Sequence, residues 1–544
     1  MIVSIVCPSI DLVTNPLNDL DVNGANIAVW IQLRTFANHP AFECLELFLT
    51  PRDFADKDKI RRFAHALLAL ENRGKGKLSF HSVYAVGDVW ADGLPRILHS
   101  DDLWALSRDR HLRDTYAKGP IAHLCDTHCI AHLSLHRSLN EVASLDHVDG
   151  DSIIACSRST AAALKASYDL PYEVHWHHRR IDPSGLSPAT PVERQAERAR
   201  YGLPADGPLA LYLGRVTPAM KGELMLLIDA LVGHPGGLVI TGVNNMPGYP
   251  EVLRAYAERR GVADRVFQFG RFAPGERAHW YRACDVFLFP ADCLNEAFGQ
   301  TTIEAMACGL PVVQSAWDGL KDTLHPDAGS LIPTYAAPAP ERLEHLSVAL
   351  ETPSLFLALA QSTVIDREAW FQAQQAWMGD PERRRVGGRA ARLLYEQSFA
   401  PEVLETSFVA MFKACLDRAK SGCRTPREVR VRALSVDYSV ALDRYASCAW
   451  DPNTTFTEAK RGLEWRAGGD APYIYGEIEP LLDPSLLAMI QERAARGPIK
   501  ASRLASLLRG AATTERDAVY HAMFLAKQGF LKITRMDTSE DPSV

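Results

Sequence analysis

Two glutamates, Glu296 and Glu304, have seven residues between them and flank the start of a predicted helix. This helix should begin near Gly299 and end at Gly309, because glycine accepts the left-handed backbone found at helix ends. The first amides of a helix have no partner inside it and form a site for an anion. A carboxylate accepts two hydrogen bonds and therefore suits a pair of neighbouring hydroxyls. The pattern favours a ligand that carries both phosphate and hydroxyl groups.

Both glutamates also have a purely structural interpretation, in which Glu296 interacts with the helix dipole and Glu304 lies on the surface. However, Glu304 stands beside Ile303, Ala305 and Met306 in a largely apolar helix. A surface position does not account for these neighbours, and we therefore favour ligand binding.

A second charged group follows a predicted strand over residues 209–213 and consists of Gly214, Arg215, Lys221 and Gly222. Two cations at the carboxyl end of a strand, with glycines that permit close approach, suit a diphosphate. The same loop could also be a solvated surface with two cations. By itself, this loop leaves both interpretations open.

The elements that would position these residues alternate between short apolar runs and helical patterns. Strands are predicted over residues 3–8, 45–49, 121–125, 152–156, 209–213, 237–241, 266–269, 286–289 and 311–314. Such alternation indicates parallel sheets with helices on both faces. A proline-bearing stretch over residues 182–206 is the predicted linker. Two doubly wound domains would then bring the ends of their strands to one cleft, with the turn Asp318-Gly319-Leu320 at its rim.

The chain has 544 residues, which is too many for one hydrophobic core and indicates several domains. Its hydrophobic fraction of 47% and charged fraction of 23% are typical of a soluble globular protein. The net charge of -7 argues against a protein that coats nucleic acid or an anionic membrane. The N-terminus lacks the basic flank and long apolar run of a secretion signal, and we expect a cytoplasmic protein.

The 11 cysteines are scattered, and without a secretion signal we expect reduced thiols rather than disulfides. Cys125 and Cys129 lie close to His123, His128 and His132, which is suggestive of a zinc site. No second pair of thiols accompanies them. We therefore interpret them as residues of a strand and a loop, and we expect no metal.

Taken together, these features resemble one known family. The run from Arg215 to Pro333 is similar to the nucleotide-binding domain of retaining family-four glycosyltransferases, which have the GT-B fold. The E-x7-E pattern of that family is matched by Glu296 and Glu304. Its glycine-arginine-lysine-glycine motif is matched by Gly214, Arg215, Lys221 and Gly222. The resemblance covers residue 1 to about residue 420, more weakly in the first domain.

The resemblance implies an α/β protein of GT-B type, with two Rossmann-like doubly wound domains facing a cleft and a small, mainly helical C-terminal domain. The implied boundaries are 1–185 for the N-terminal acceptor-side domain, 186–400 for the donor-binding domain, 401–423 for a crossover helix and 424–544 for the extension. The implied reaction moves a sugar from a UDP, GDP or dTDP donor, retains the anomeric configuration and needs neither a metal nor another cofactor.

The resemblance also implies roles for residues of the second domain. Arg215 and Lys221 would neutralise the donor diphosphate, and Glu296 would hold hydroxyls of the transferred sugar. Glu304 would hold the ribose hydroxyls, and the helix N-terminus at Gly299, Gln300 and Thr301 would hold the phosphates. Gly214 would be a further donor contact, and the backbone near Arg271 and Phe272 would meet the base. The sequence departs from the family at Ala291, where a serine is usual, and in a gap between Arg215 and Lys221 that is one residue longer.

In the first domain, Gly24 stands in a turn where the family often has two glycines, and it is the expected donor contact of that turn. The family has a histidine near the transferred sugar after a middle strand. His128 matches that position best, and His123 and His132 are the alternatives.

Residues 424–544 fall outside the resemblance, and the segment 480–535 looks like a winged helix. It has nine lysine and arginine residues against four aspartate and glutamate residues, which makes DNA binding conceivable. Its last predicted helix carries only Arg516 and Lys527 as basic side chains, against Glu515 and Asp517. We therefore favour a protein contact, acceptor binding or a homodimer contact over a nucleic-acid partner.

Two other functions compete with sugar transfer. One is a regulatory protein that senses a nucleotide sugar and uses the winged helix to contact DNA or protein, although the complete set of charged residues argues against a degenerate site. The other is an epimerase or phosphorylase of the same fold. The acceptor, whether a small molecule, a glycan or a peptide, has no motif that identifies it.

Overall fold

The computed structural model describes residues 1–6, 24–68, 77–129, 133–143, 145–293, 296–336, 352–360, 363–426, 452–469, 471–472, 474, 482–508, 515–527 and 530–534.

The strands in this part of the chain are β1 (Ile2–Val6), β2 (Cys44–Leu49), β3 (Leu78–Ser82), β4 (Arg96–Ser100), β5 (Ile121–Thr127), β6 (His147–Val148), β7 (Ser152–Ala155), β8 (Glu173–Trp176), β9 (Leu209–Leu213), β10 (Gly237–Thr241), β11 (Val266–Phe269), β12 (Val286–Phe289), β13 (Val312–Ser315), β14 (Gly329–Ile332), β15 (Thr334–Ala336), β16 (Thr363–Ile365), β17 (Arg424–Thr425), β18 (Thr455–Glu458), β19 (Ile499–Lys500) and β20 (Leu531–Thr534).

The helices are α1 (Gly24–Asn38), α2 (Pro51–Ala55), α3 (Lys57–Leu67), α4 (Val86–Trp90), α5 (Leu106–Tyr116), α6 (Leu133–Ala143), α7 (Arg158–Ser167), α8 (Pro191–Arg200), α9 (Met225–Asp229), α10 (Tyr249–Arg259), α11 (Arg277–Ala283), α12 (Gln300–Ala307), α13 (Thr352–Ala360), α14 (Arg367–Gly379), α15 (Pro381–Ser398), α16 (Pro401–Ser421), α17 (Lys460–Arg466), α18 (Pro484–Ala495), α19 (Leu504–Leu507) and α20 (Glu515–Lys527).

Two parallel sheets form the framework. The first has seven strands in the order β3-β2-β1-β4-β5-β7-β8, and the second has six in the order β11-β10-β9-β12-β13-β14. Strands β9 and β12 are buried along their whole length, because a parallel sheet is covered on both faces. The two predicted Rossmann-like, doubly wound domains are therefore confirmed.

In each sheet the strand order reverses beside the first strand of the domain. The reversal lies between β1 and β4 in the first sheet and between β9 and β12 in the second. Open α/β sheets bind ligands in the crevice outside the carboxyl ends of the strands at such a point. The loops that follow β9 and β12 are therefore the expected place for a ligand in the second domain.

The predicted linker over residues 182–206 is only partly irregular, because it contains α8. The hydroxyl of Thr190 accepts a hydrogen bond from the Glu193 amide, and the Glu193 carboxylate accepts one from the Thr190 amide. This reciprocal cap, with Pro191 in the first turn, starts a helix within a proline-bearing stretch. Arg198 then pairs with Asp285 at 2.6 Å, which attaches α8 to the start of β12.

The chain divides into two compact units. Unit 1 comprises Met1–Phe48, Asp58–Phe80 and Val86–Ala433 and contains both parallel sheets. It also contains α16, in which the ring of Phe412 packs against those of Phe36 and His99 in the first domain.

Unit 2 comprises Leu49–Lys57, His81–Ala85 and Leu434–Val544. It has its own core, which includes Phe456 and Phe530. Strand β18 pairs in antiparallel fashion with β19 and β20, and α18, α19 and α20 lie between β18 and β20 in the sequence. The assignment of this segment as a winged helix stays a prediction. No helix within the described ranges combines the length and the apolar character needed to cross a membrane.

Candidate active site

The loops that follow β9 and β12 lie side by side at the switch point of the second sheet. The amide of Asp292, after β12, donates to the carbonyl of Lys221, after β9, at 3.1 Å. Between them, a Cβ atom at Gly222 would overlap the carbonyl oxygen of Pro290. Glycine is therefore required at position 222 for the two loops to approach this closely. The approach brings together the charged residues that the sequence separates by 75 positions.

Lys221 and Glu296 form an ion pair in this crevice, between Nζ and Oε2. Glu296 is 5% exposed, and its Oε1 atom accepts a hydrogen bond of 2.7 Å from the Gly299 amide. Burial would raise the pKa of Glu296, but the Lys221 ammonium and the Gly299 amide outweigh it and hold that pKa below its ordinary value. Glu296 is therefore a carboxylate at neutral pH, with a cation beside it.

Arg215 lies at the same sheet edge and is half-buried. Its backbone carbonyl accepts a hydrogen bond of 2.7 Å from the Tyr212 hydroxyl, and its Nη1 atom lies 3.0 Å from the sulfur of Met220. The charge of Arg215 also contributes to the lowered pKa of Glu296. The predicted pair of cations is thus directed towards one region, with Gly214 at the end of β9 beside it.

Helix α12 begins at Gln300, shortly after Glu296, and Gly299 is its N-cap at a φ of 80°. The first hydrogen bond of the helix runs from the Thr302 amide to the Gly299 carbonyl. The amides of Gln300 and Thr301 precede it and have no acceptor within the helix. The buried Thr302 hydroxyl also has no hydrogen-bond partner among the described residues. The start of α12 therefore offers donors to an anion, as the sequence predicts.

Glu304 lies inside the domain rather than at an open rim. Its two carboxylate oxygens accept hydrogen bonds of 2.9 Å from Arg277 and 2.8 Å from the Tyr281 hydroxyl, both on α11. Arg277 also donates to the backbone carbonyl of Asp182 at 2.9 Å. Burial raises the pKa of Glu304, and the guanidinium of Arg277 opposes this rise. Sequence reasoning did not identify Arg277 and Tyr281, because nothing in the local pattern links α11 to Glu304.

The two residues predicted to meet the base lie after β11, at the far edge of the second sheet. Arg271 is exposed, and Phe272 is half-buried with its ring 6.2 Å from that of Trp280. Like the other predicted donor contacts of the second domain, they lie at the carboxyl end of the sheet. The strand that they follow, β11, is separated from β9 by β10. Gly24, the predicted contact of the first domain, is the first residue of α1.

His128 is the predicted histidine that the structure brings to the second domain. The thiol of Cys156 lies 3.8 Å from the His128 carbonyl and 3.5 Å from that of Ala297, the neighbour of Glu296. Burial, together with the nearby charge of Arg179, lowers the pKa of His128 to about 3, so its ring is neutral at pH 7. The backbone of His128 thus lies near the segment that contains Glu296, and its role beside the transferred sugar stays a prediction.

The other two histidines are placed differently. His123 is fully buried within β5, where its ring nitrogens lie 2.8 Å from the Ser100 hydroxyl and 2.9 Å from the Tyr172 hydroxyl. It is a histidine of the protein interior. His132 lies outside the described residues.

Arg179 is a further residue near this site that sequence reasoning did not identify. It donates to the buried carboxylate of Asp126 at 2.6 Å and to the Thr127 carbonyl at 3.1 Å, at the end of β5. The four consecutive residues His177 to Arg180 were a signal in the sequence, since such a basic group after a strand is unusual.

The comparison with known proteins agrees with this geometry. Residues 193–346 match the family described as glycosyl transferases group 1. The chain carries a glycosyltransferase group 1 domain.

The relatives of this glycosyltransferase domain include two named D-inositol 3-phosphate glycosyltransferase. The protein of Xylanimonas cellulosilytica is 34% identical over 189 residues, which are 34% of this chain and 44% of that protein. The protein of Jonesia denitrificans is 34% identical over 202 residues, which are 34% of this chain and 45% of that protein. The chain thus spans less than half the length of these curated relatives.

Solved structures show that the fold around the glycosyltransferase domain is GT-B. Sucrose-phosphate synthase from Thermosynechococcus elongatus is similar with a TM-score of 0.50 and 18% identity, over 76% of this chain and 98% of that chain. HepE of Anabaena in complex with UDP is similar with a TM-score of 0.51 and 17% identity, over 76% of this chain and 99% of that chain. The predicted fold class is confirmed.

Proposed function

We propose that this protein moves a sugar from a UDP-sugar to an acceptor, retains the anomeric configuration and uses no metal ion. The observation that carries the proposal is the ion pair of Lys221 and Glu296 beside the N-terminus of α12. Lys221 can neutralise a diphosphate and Glu296 can bind sugar hydroxyls, and the two side chains are in direct contact. UDP is the nucleotide we expect, because HepE, which has the same fold, was solved in complex with UDP.

Donor binding would exchange the partners of this ion pair. The diphosphate would accept hydrogen bonds from the first amides of α12 and from Arg215, and it would attract the ammonium of Lys221. Glu296 would then turn one oxygen towards hydroxyls of the sugar, while its other oxygen stays on the Gly299 amide. Each group keeps a charged or hydrogen-bonded partner throughout, which avoids the cost of a buried unpaired charge.

The reaction follows from the same groups. The acceptor hydroxyl oxygen bonds to C1 of the sugar on the face that the diphosphate leaves, and the bond between C1 and the phosphate oxygen breaks with its electron pair. The proton of the acceptor hydroxyl passes to that phosphate oxygen. Arg215 and Lys221 stabilise the charge that develops on the leaving group. Two fixed cations thus do the work that a divalent ion does in other transferases.

His128 would contribute as a neutral hydrogen-bonding group near the sugar. With a pKa of about 3 it carries no proton to donate as an acid at neutral pH. Its ring can still orient a sugar hydroxyl, because a neutral imidazole has one donor and one acceptor nitrogen.

For unit 2 we propose a protein contact, acceptor binding or a homodimer contact.

The proposal is tested first by nucleotide binding. We expect UDP to raise the melting temperature of the protein more than GDP, dTDP or inorganic phosphate does, because only a bound ligand stabilises the folded state. Lys221→Ala should abolish this shift, and Lys165→Ala, which removes an exposed lysine, should leave it unchanged. A shift with inorganic phosphate but with no nucleoside diphosphate would favour a phosphorylase instead.

Turnover provides the second test. We expect slow hydrolysis of a UDP-sugar that persists in EDTA and falls at least about a hundredfold in Glu296→Gln. Glu251→Gln, at an exposed position on α10, is the matched control. The anomeric configuration of the released or transferred sugar, measured by NMR before mutarotation, tests retention. No turnover with any donor, together with tight binding of duplex DNA, would overturn the proposal in favour of a regulatory protein.

A further inference from the structure

The turn after β13, residues Asp318–Asp322, contains a residue in an unfavourable conformation. Asp318 has a φ of 37°, and it is the one non-glycine residue with a positive φ within the described ranges. Side chains with a Cβ rarely adopt this region, because it is sterically unfavourable for them. Glycine would adopt this conformation without steric strain, which raises the question of what the side chain of Asp318 contributes.

The carboxylate of Asp318 reaches the first turn of α7, in the other doubly wound domain of unit 1. Its oxygens accept hydrogen bonds of 2.6 Å from the Ser157 hydroxyl and 3.1 Å from the Thr160 hydroxyl. A second carboxylate from the same turn, Asp322, accepts a hydrogen bond of 2.9 Å from the Arg158 amide. Two acids at the N-terminus of a helix are favourable because they face its positive dipole end.

The guanidinium of Arg158 adds a further contact between the domains. It lies 4.7 Å from the ring centroid of Trp176, at the end of β8, and 4.0 Å from the carboxylate of Asp322. We refer to Ser157, Arg158, Thr160, Asp318 and Asp322 together as the α7 clasp.

The other side of the turn rests on the segment that contains Glu296. A Cβ atom at Gly319 would overlap the Ala297 carbonyl and crowd the side chain of Ser157. A Cβ atom at Gly299 would overlap the side chain of Leu320. The turn is therefore packed between α7 and the Ala297–Gly299 backbone, and a shift of the turn must displace Glu296 or α7.

We propose that Asp318 is a positioning residue, whose carboxylate clasps the first turn of α7 and thereby fixes the Glu296 segment opposite the edge of the first sheet. The effect on turnover rests on the proposed function, whereas the clasp itself does not. UDP phosphates would be held by Arg215, Lys221 and the start of α12, none of which belongs to the clasp. Loss of the clasp should consequently affect turnover more than nucleotide binding.

Replacement of Asp318 by glycine separates this role from a merely conformational one. If only the turn conformation matters, Asp318→Gly relieves the strained φ and is neutral or stabilising. If the clasp matters, amide hydrogen exchange in residues 157–163 of the unliganded protein accelerates by about tenfold. Asp206→Gly, at an exposed loop position, is the control, and exchange in β10 should be unchanged in both variants.

The hydroxyl of Thr160, which donates to Asp318 from α7, provides an independent test. Thr160→Val removes one hydroxyl donor without altering Ser157, which caps α7. Because both variants break the same contact, we expect the double variant with Asp318→Gly to exchange no faster than Asp318→Gly alone. Asp318→Asn, which keeps an acceptor oxygen and tolerates a positive φ, should restore most of the protection.

Turnover in these variants completes the experiment. We expect Asp318→Gly to lower kcat for the UDP-sugar by about tenfold while the Kd for UDP changes by less than about twofold, with recovery in Asp318→Asn. Wild-type exchange in Asp318→Gly, or fully additive effects of the two substitutions, would overturn the clasp. Accelerated exchange in a protein that turns over no nucleotide sugar would leave the clasp intact and refute the proposed function instead.

Discussion

At the scale of single residues, the acids of the site differ in how their charge is compensated. Glu296 is paired with a lysine that a diphosphate could attract, whereas the equally buried Glu304 accepts hydrogen bonds from Arg277 and Tyr281. A ribose that contacts Glu304 would share its two oxygens with these partners. We therefore regard Glu304 as a residue that also stabilises the second domain.

Glu304→Ala should destabilise the protein. The substitution leaves the guanidinium of Arg277 largely buried without its carboxylate, a change that costs about 3–5 kcal/mol. The free energy of unfolding, measured with urea, checks the prediction, with Glu251→Ala as the exposed control. A loss no larger than that of the control would show that Arg277 finds another partner.

A pH effect is expected at Asp318. Burial raises its pKa from 3.8 to about 6, although the hydroxyls of Ser157 and Thr160 and the charge of Lys321 oppose the rise and Glu296 adds to it. Between these two values the folded protein binds a proton that the unfolded chain does not, so the contribution of Asp318 to stability increases as the pH falls. Above about pH 6 the carboxylate is charged in both states, and the cost of its burial stays constant.

Asp318→Asn removes this titration while it keeps an oxygen for the clasp. We expect the melting temperature of the variant, relative to wild type, to rise between about pH 4 and about pH 6 and to stay level above that range. Scanning calorimetry of both proteins across this range is the measurement. A difference that does not vary with pH would mean that Asp318 titrates equally in the folded and unfolded states.

At the scale of elements, the strand order determines which loops can meet. Strands β9 and β12 are neighbours although β10 and β11 lie between them in sequence. This crossover brings Lys221 beside Glu296, and Gly222 permits the contact because it has no side chain. The site therefore depends on backbone packing as much as on its charged groups.

Gly222→Ala should separate the two loops. The added methyl group would overlap the backbone carbonyl of Pro290, which cannot rotate away as a side chain can. We expect UDP affinity to fall at least about tenfold and the melting temperature to fall by several degrees. Gly275→Ala is the control, because its added Cβ has no atom within 4 Å in the described part of the chain, apart from its neighbours in sequence. Equal effects of the two substitutions would contradict this account.

At the scale of the whole molecule, the chain has two units with separate cores. All residues of the proposed donor site lie in unit 1, while Phe456 is fully buried in the core of unit 2. Substitutions within the core of unit 2 should therefore leave nucleotide binding unchanged.

Phe456→Ala tests this independence. Removal of a buried aromatic ring destabilises a core by about 3–5 kcal/mol, and hydrogen exchange in α18 should accelerate accordingly. The Kd for UDP should stay within about twofold of wild type. Leu463→Ala, at a side chain that is 53% exposed, should change neither quantity. A large loss of UDP affinity in Phe456→Ala would indicate that unit 2 supports the donor site.

The features that the sequence determined are those encoded within a few neighbouring residues. The alternation of apolar runs and helices predicted both sheets, and Gly299 and Gly309 bounded α12 within one or two residues. The start of α8 could also be recognised in the sequence, because Thr190 and Glu193 have the spacing of a capping box. The surrounding prolines favoured a linker instead. Periodicity, caps and glycine conformation are local properties, so one chain segment is enough to predict them.

The contacts that decide the site are not local. The partners of Glu304, the ion pair of Lys221 with Glu296 and the clasp between Asp318 and Ser157 join residues on different elements, and 161 positions separate the last pair. Sheet order and helix packing select these partners among many side chains of the same charge or polarity. The sequence therefore predicted the fold and the chemical types of the site, and only the tertiary structure decided which groups meet.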